Sequence, residues 1–246
     1  MLIRCLLASW VLCAAWSGAP AAAAGDPDLA AVQRAIIEQT NRFREANGLR
    51  PTTPAPELND AARQFAQFMA RTTRYGHEAD GRQPSDRAMA AGYEFCLIAE
   101  NIAYEYSSAG FQGAQLASRL ATGWEQSPPH RHNMLDPDAR ETGVAVVHSS
   151  VNGHYYAVQM FGRRMTQAIR FRLGNTAPVA VDYQLQGKRY TLPTGVTRTH
   201  QVCRAPAVEL RLPGEREAVT VRPADGERYL VERAGASGRL NVVARR

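Results

Sequence analysis

Two histidines lie two residues apart in the stretch WEQSPPHRHNML. Imidazole nitrogens bind divalent cations and exchange protons near neutral pH, so either ring is a candidate for chemistry. Ser127 followed by Pro128 is typical of a helix start, because serine can cap the N-terminus and proline fits the first helical position. His130 therefore falls in the first turn of a short helix. The helix dipole there disfavours imidazolium, which favours His130 as a neutral ligand or base.

His130 and His132 cannot share one ion. Residues two apart point roughly 200° away from each other around a helix of about 3.6 residues per turn. Periodicity leaves open which of them faces inward, because Met134 lies near the face of His130 and Leu135 near that of His132.

A buried carboxylate is the second kind of candidate. Glu100 lies in the mostly apolar stretch CLIAENIA, where an ionised side chain is costly without partners. It serves either a functional site or a structural role on the backbone amides of a turn, and the residues alone leave both open. His77 follows Gly76 in a polar segment, where a lone histidine is ordinarily a surface residue.

Helices must position most of these residues. Apolar side chains at steps of three and four predict helices over about residues 28–46, 58–73 and 112–126. A short helix is predicted in PSDRAMAAGY, ending at Gly92, and a hairpin in TGVAVVHS and HYYAVQMFG, with a turn at Asn152-Gly153.

After Arg164 the helical pattern ends. Eight short runs, mostly alternating, are separated by turn residues: AIRFRL, VAVDYQL, KRYTLP, VTRTHQV, AVELRL, AVTVRP, RYLVER and RLNVVA. Such spacing predicts a small antiparallel β-sandwich or barrel. We therefore expect an α+β chain, with one domain over residues 25–164 and an all-β domain over 165–246.

The N-terminus has the features of an export signal. MLIRCLLASWVLCAAWSGAPAAAA has an early arginine, an apolar run and small residues at its end, which predicts a signal peptide over residues 1–24. Its apolar core is too short to cross a bilayer, and no second long apolar run follows. We expect a mature chain that has no transmembrane segment and is secreted, periplasmic or extracellular.

Two cysteines, Cys96 and Cys203, remain after the signal. In an oxidising compartment such a pair usually forms a disulfide, with two buried free thiols as the alternative. The formal net charge is +6, but the arginines are scattered and Lys188 is the only lysine. This pattern does not indicate a nucleic-acid surface.

Four segments in series resemble the bacterial branch of the CAP superfamily, also called the SCP or pathogenesis-related-1 family. GHEADGRQPSDRAMAAGY resembles its histidine segment, and AENIAYEY resembles its Gly-Glu-Asn-Ile-Ala motif. WEQSPPHRHNML resembles Trp-x-x-Ser-x-x-His-Arg-x-Asn-Ile-Leu, and ETGVAVV with YYAVQMFG resembles the closing hairpin. The order and spacing agree across residues 30–162 and do not reach the all-β region.

The resemblance implies an α-β-α sandwich with a cleft that gathers two histidines and acidic groups. By position these are His77, Glu100 and His130, which leaves His132 on the surface. Such a trio can hold a divalent metal, Zn²⁺ or similar, with an open position. Without metal it can form a hydrogen-bonded acid–base cluster.

The resemblance is incomplete at one acidic position. Animal and plant members carry a second glutamate where this chain has Ser127. Glu141 matches a glutamate of the bacterial hairpin and is a further candidate ligand.

Three functions remain open. The first is a binding module that engages a protein, a lipid or a cell-envelope polymer through the cleft. The second is a metal-dependent hydrolase or protease, although the sequence has neither an HExxH helix nor a GxSxG elbow. The third is a vestigial cleft with the β domain as a docking module. We favour the first, because a fold does not establish an activity.

Overall fold

The computed structural model describes residues 26–235 and 238–245, so the predicted signal peptide lies outside the described residues. The N-terminal unit contains helices α1 (Leu29–Ala46), α2 (Pro56–Thr72), α3 (Pro84–Ala90), α4 (Gly113–Gln126) and α5 (Pro128–Met134). Its strands are β1 (Thr53–Pro54), β2 (Phe95–Glu105), β3 (Glu141–His148) and β4 (Tyr155–Arg164). No helix in the described part of the chain is long and apolar enough to span a membrane.

A four-stranded sheet in the order β1-β3-β4-β2 forms the middle layer, which places β2 at one edge. Helices cover both faces, because alternate residues of each strand point to opposite sides. On the face covered by α2 and α3, Phe65 and Met69 of α2 pack against Met160 of β4. On the other face, residues of α1, α4 and α5 pack with Ala157 and Phe161 of the same strand. The structure is therefore the expected α-β-α sandwich.

The predicted helices are present, with small differences at their ends. Asp28 caps α1 by accepting hydrogen bonds from the backbone N–H groups of two following alanines. Gly48, with φ of +73°, follows that helix as expected. In α5, Pro128 does occupy the start, but Ser127 makes no side-chain capping bond although it stands at the capping position.

The C-terminal unit consists of eight strands in the described residues. They are β5 (Ile169–Asn175), β6 (Val181–Leu185), β7 (Lys188–Leu192), β8 (Thr197–Val202), β9 (Val208–Arg211), β10 (Val219–Val221), β11 (Arg228–Arg233) and β12 (Leu240–Arg245). They form two four-stranded sheets, β10-β9-β6-β7 and β12-β11-β5-β8, around one shared core. The unit is a sandwich, and the expectation of a purely antiparallel one is corrected by the parallel pairing of β11 with β5.

The two units are closely joined. Only a short 3-10 helix, Met165–Gln167, separates the last strand of the first unit from the first strand of the second. The predicted disulfide is confirmed: Cys96 of β2 is bonded to Cys203, which follows β8.

Ion pairs flank this junction, one of them largely buried. Arg163 Nη1 donates hydrogen bonds to Asp138 Oδ1 at 3.2 Å and to the carbonyl oxygen of Cys203 at 3.1 Å. Arg204 Nη1 lies 2.8 Å from Asp136 Oδ2. Since these carboxylates belong to the first unit and Arg204 to the second, charge pairing adds to the covalent link.

Candidate histidine and glutamate site

Glu100 is a buried anion with a buried cation beside it. Its side chain is 1% exposed and that of Arg87, on α3, is 4% exposed. Arg87 Nη2 donates to both carboxylate oxygens of Glu100, at 2.9 and 2.8 Å. The two charges therefore pair with each other inside the protein. Each needs such a partner, because an unpaired buried charge is strongly destabilising.

Arg87 also organises the loop before its helix. Its guanidinium donates to Asp80 Oδ1 at 2.8 Å and to the backbone carbonyls of Arg82 and His77, both at 2.9 Å. The same group lies over the ring of Phe65, 3.6 Å from its centroid. One side chain thus fixes the loop that carries His77 against the core below α2.

His77 is half-exposed and is oriented by Glu100. Its Nδ1 lies 2.8 Å from Glu100 Oε1, and its side chain is 48% exposed. Because an ionised carboxylate only accepts hydrogen bonds, Nδ1 is the nitrogen that donates here, and in the neutral ring Nε2 is then the nitrogen with the free lone pair. A carboxylate in this position is the usual partner of a metal-binding histidine.

His130 lies near His77 on the first turn of α5. Burial lowers its pKa, and electrostatic repulsion from a protonated His77 would lower it further. Within the described residues its ring has no hydrogen-bond partner. Both observations favour a neutral imidazole with available nitrogens, as the helix position predicts.

Two asparagines attach α5 to the edge strand β2. Asn101 Nδ2 donates to the carbonyl of His130 at 3.2 Å, and Asn133 Nδ2 donates to the carbonyl of Glu100 at 3.1 Å. Asn133 also bonds Asn101 Oδ1 at 2.9 Å. The helix that carries His130 is thereby fixed beside the strand that carries Glu100.

Glu141 lies in a different cluster. Its carboxylate accepts a hydrogen bond from the hydroxyl of Tyr93 at 2.6 Å and lies 3.0 Å from Arg164 Nε. Burial, then this bond to Glu141, raises the pKa of Tyr93. His132 is exposed on α5, as the resemblance implies.

The three candidates do not form a complete ligand set. Within residues 26–235 and 238–245, no three His, Cys, Asp or Glu side chains are arranged to hold a metal ion. At this site both oxygens of Glu100 accept hydrogen bonds from Arg87, and Oε1 also contacts His77. Two imidazoles remain available, so the role of His77, Glu100 and His130 as joint ligands stays a prediction.

Arg87 belongs to this site but was not among the residues predicted for it. The signal that could have found it is the burial expected for Glu100, which demands a cation nearby. That argument does not say which of the many arginines supplies it.

A family model for the cysteine-rich secretory protein family, CAP, matches residues 37–161, about half of the chain. The chain belongs to the CAP family. The matched CAP region contains His77, Glu100, His130 and Arg87, and it ends before the β-sandwich begins.

Individual CAP relatives are distant. The uncharacterized protein YkwD of Bacillus subtilis (strain 168) is 26% identical over 136 residues, which are 55% of this chain and 49% of that protein. The chain thus matches about half the length of this relative. An outer surface protein from Borrelia burgdorferi is 18% identical, with a TM-score of 0.49, covering 56% of this chain and 96% of that one. An extracellular SCP-domain protein from Bacillus anthracis str. Ames is 23% identical, with a TM-score of 0.46. The match covers 54% of this chain and 40% of that one.

Proposed function

We propose that the CAP domain is a secreted binding module in which His77 and His130 hold a divalent cation, Zn²⁺ or similar, and engage an extracellular or envelope ligand. The observation that carries this proposal is the state of the two imidazoles. The Nδ1 of His77 is taken by Glu100, which leaves Nε2 available, and the neutral ring of His130 lies nearby without a partner in the described residues.

The donor set fits a cation that has few protein ligands. His77 and His130 supply nitrogen donors, which suit Zn²⁺ and similar ions. Glu100 orients His77 and raises its basicity instead of binding directly. A bound cation would supply an electrophilic centre for oxygen donors of a ligand.

The same geometry disfavours hydrolysis. A metal-dependent hydrolase or protease needs a general base that is free to take a proton from water. The oxygens of Glu100 accept bonds from Arg87 and His77, and Ser127 occupies the place of the second glutamate. Binding is therefore the function that the arrangement supports best.

Metal-dependent stabilisation tests the proposal directly. Zn²⁺ should raise the melting temperature of the wild-type protein and should not do so in H77A/H130A. The matched control, H132A/H148A, removes two exposed imidazoles elsewhere and should respond like the wild type. An unchanged wild-type melting temperature, or a response that survives in H77A/H130A, would contradict the metal site.

Two further measurements sharpen this test. E100Q should retain binding but weaken Zn²⁺ affinity by about 10- to 100-fold, since the partner of His77 is altered. Casein should not be hydrolysed. Casein turnover that disappears in H77A/H130A and persists in H132A/H148A would replace the binding module by the hydrolase.

A further inference from the structure

A row of aromatic side chains continues from the histidine site along β2. Glu100 and Tyr104 lie on the same side of this strand, because side chains alternate with a period of two, and Tyr106 follows just beyond its end. At about 3.3 Å per residue, the row runs roughly 20 Å from Glu100 to Tyr106. Tyr75, Tyr104 and Tyr106 are 46%, 50% and 56% exposed.

These rings contact one another in sequence. The centroids of Tyr75 and Tyr104 are 5.0 Å apart, those of Tyr104 and His154 5.1 Å, and those of Tyr106 and His154 5.3 Å. We call Tyr75, Tyr104, Tyr106 and His154 the tyrosine track. Mutual packing fixes the rings, so a ligand that covers them loses little side-chain entropy of the protein.

The tyrosine track is continuous with the histidine site. The hydroxyl of Tyr75 donates to the carbonyl of Ile102 at 3.2 Å, between Glu100 and Tyr104 along the strand. A long ligand can therefore contact the tyrosine track and the histidines together.

The two glutamates of β2, Glu100 and Glu105, are already paired. Glu105 lies 2.9 Å from Arg119, and Glu100 is bonded to Arg87. The row consequently offers aromatic faces and hydroxyls, and its two carboxylates add no unpaired negative charge. This composition fits an uncharged ligand that carries many hydroxyl groups better than an anionic polymer or an anionic lipid surface.

The edge of β2 is closed to an added peptide strand near the site. The carbonyl of Ile102 accepts from Trp124 Nε1 at 3.1 Å as well as from Tyr75, and that of Glu100 accepts from Asn133. A peptide that binds by strand addition needs these backbone groups. Stacking on the rings remains as the mode of binding.

We propose that the tyrosine track binds an uncharged polysaccharide strand, with pyranose rings stacked on the exposed tyrosine faces. The C–H groups of a sugar ring carry partial positive charge and pack against the negative face of an aromatic ring. Tyrosine hydroxyls donate to and accept from sugar hydroxyls. This inference rests on the proposed binding function and names the ligand class for the same surface.

Retention on insoluble polysaccharides provides the test. Chitin and cellulose particles are the probes, and the full chain after export is the protein. We expect retention on at least one polymer and a loss of affinity of about tenfold or more in Y104A/Y106A, because two stacking faces are removed. Y104F/Y106F keeps the faces and should retain most of the binding. M89A/V179A, which removes exposed apolar area elsewhere, should bind like the wild type.

The control measurements separate this proposal from the metal site. H77A/H130A, or the wild type with a chelator, should still be retained on the polysaccharide through the tyrosine track. Retention therefore persists even if the protein binds no metal. No retention on either polymer would overturn the proposal, as would equal retention by Y104A/Y106A. Binding to phosphatidylcholine vesicles without binding to polysaccharide would instead identify the surface as a membrane contact.

Discussion

Replacing Arg87 by methionine should destabilise the CAP domain by about 3–5 kcal/mol, the cost of leaving one partner of a buried ion pair alone. The structure places this variant in the upper part of that range. Both oxygens of Glu100 lose their charged donor, and Asp80 loses its bond as well. Glu100 cannot recover these bonds from water, because its side chain is 1% exposed.

A second substitution tests whether the lost stability comes from the unpaired charge of Glu100. R87M/E100L replaces the pair by apolar side chains of similar size, which is often near neutral. The double variant should therefore be more stable than R87M alone. Its recovery is incomplete, because Asp80 still lacks its partner.

Tryptophan fluorescence during urea unfolding measures the effect. Trp124 is the only tryptophan after the predicted signal and is buried in the core of the CAP domain, so its emission reports on this domain. With an m-value of about 2 kcal/mol per molar urea, R87M should lower the midpoint by roughly 2 M. A loss below about 1 kcal/mol in R87M, or a double variant less stable than R87M, would refute the buried-pair reasoning.

Three further predictions concern packing, the disulfide and pH. G143A should cost about 3 kcal/mol in the same assay, since a Cβ would lie 2.3 Å from backbone atoms of Leu58 and Asn59 on α2; a near-neutral result would contradict this packing. C96S/C203S should lower stability by up to about 4.7 kcal/mol, the chain-entropy value for a loop of about 100 residues, and an unchanged urea midpoint would show that the link is dispensable. Burial, then the charge of Arg198, lowers the pKa of His200 below its ordinary value of about 6.5. The neutral His200 of the folded protein therefore adds stability that is complete above about pH 6.5. This stability is lost as the pH falls through the lowered pKa of the folded state. Melting temperatures at about pH 8 and pH 5 should therefore differ less in H200Q than in the wild type.

Local pattern predicted the helices well, because their apolar side chains recur on one face. In α2, Leu58, Phe65 and Met69 all point into the core under the sheet. The strand β2 was not predicted, because it lacks the alternating pattern that marks a strand. Core residues or helices cover both sides of its middle part, so the apolar residues there do not alternate with polar ones.

Contacts that join distant segments could not be read from the chain. Arg87 belongs to a short polar helix and looks like a surface charge until β2 places Glu100 against it. The parallel pairing of β11 with β5 likewise depends on the path of the chain between them. His130 was distinguished from His132 only through the resemblance, since helix periodicity was equally consistent with either residue.

The position of Cys203 has a consequence for the order of folding. The CAP sheet is complete when β4 ends at Arg164, before Cys203 has been synthesised. If the sheet folds as soon as it is synthesised, Cys96 stays a free thiol in it until Cys203 arrives. In an oxidising compartment, that interval would leave the thiol open to mispairing with other chains, so prompt docking of the β-sandwich would limit mispairing as well as stabilise the fold.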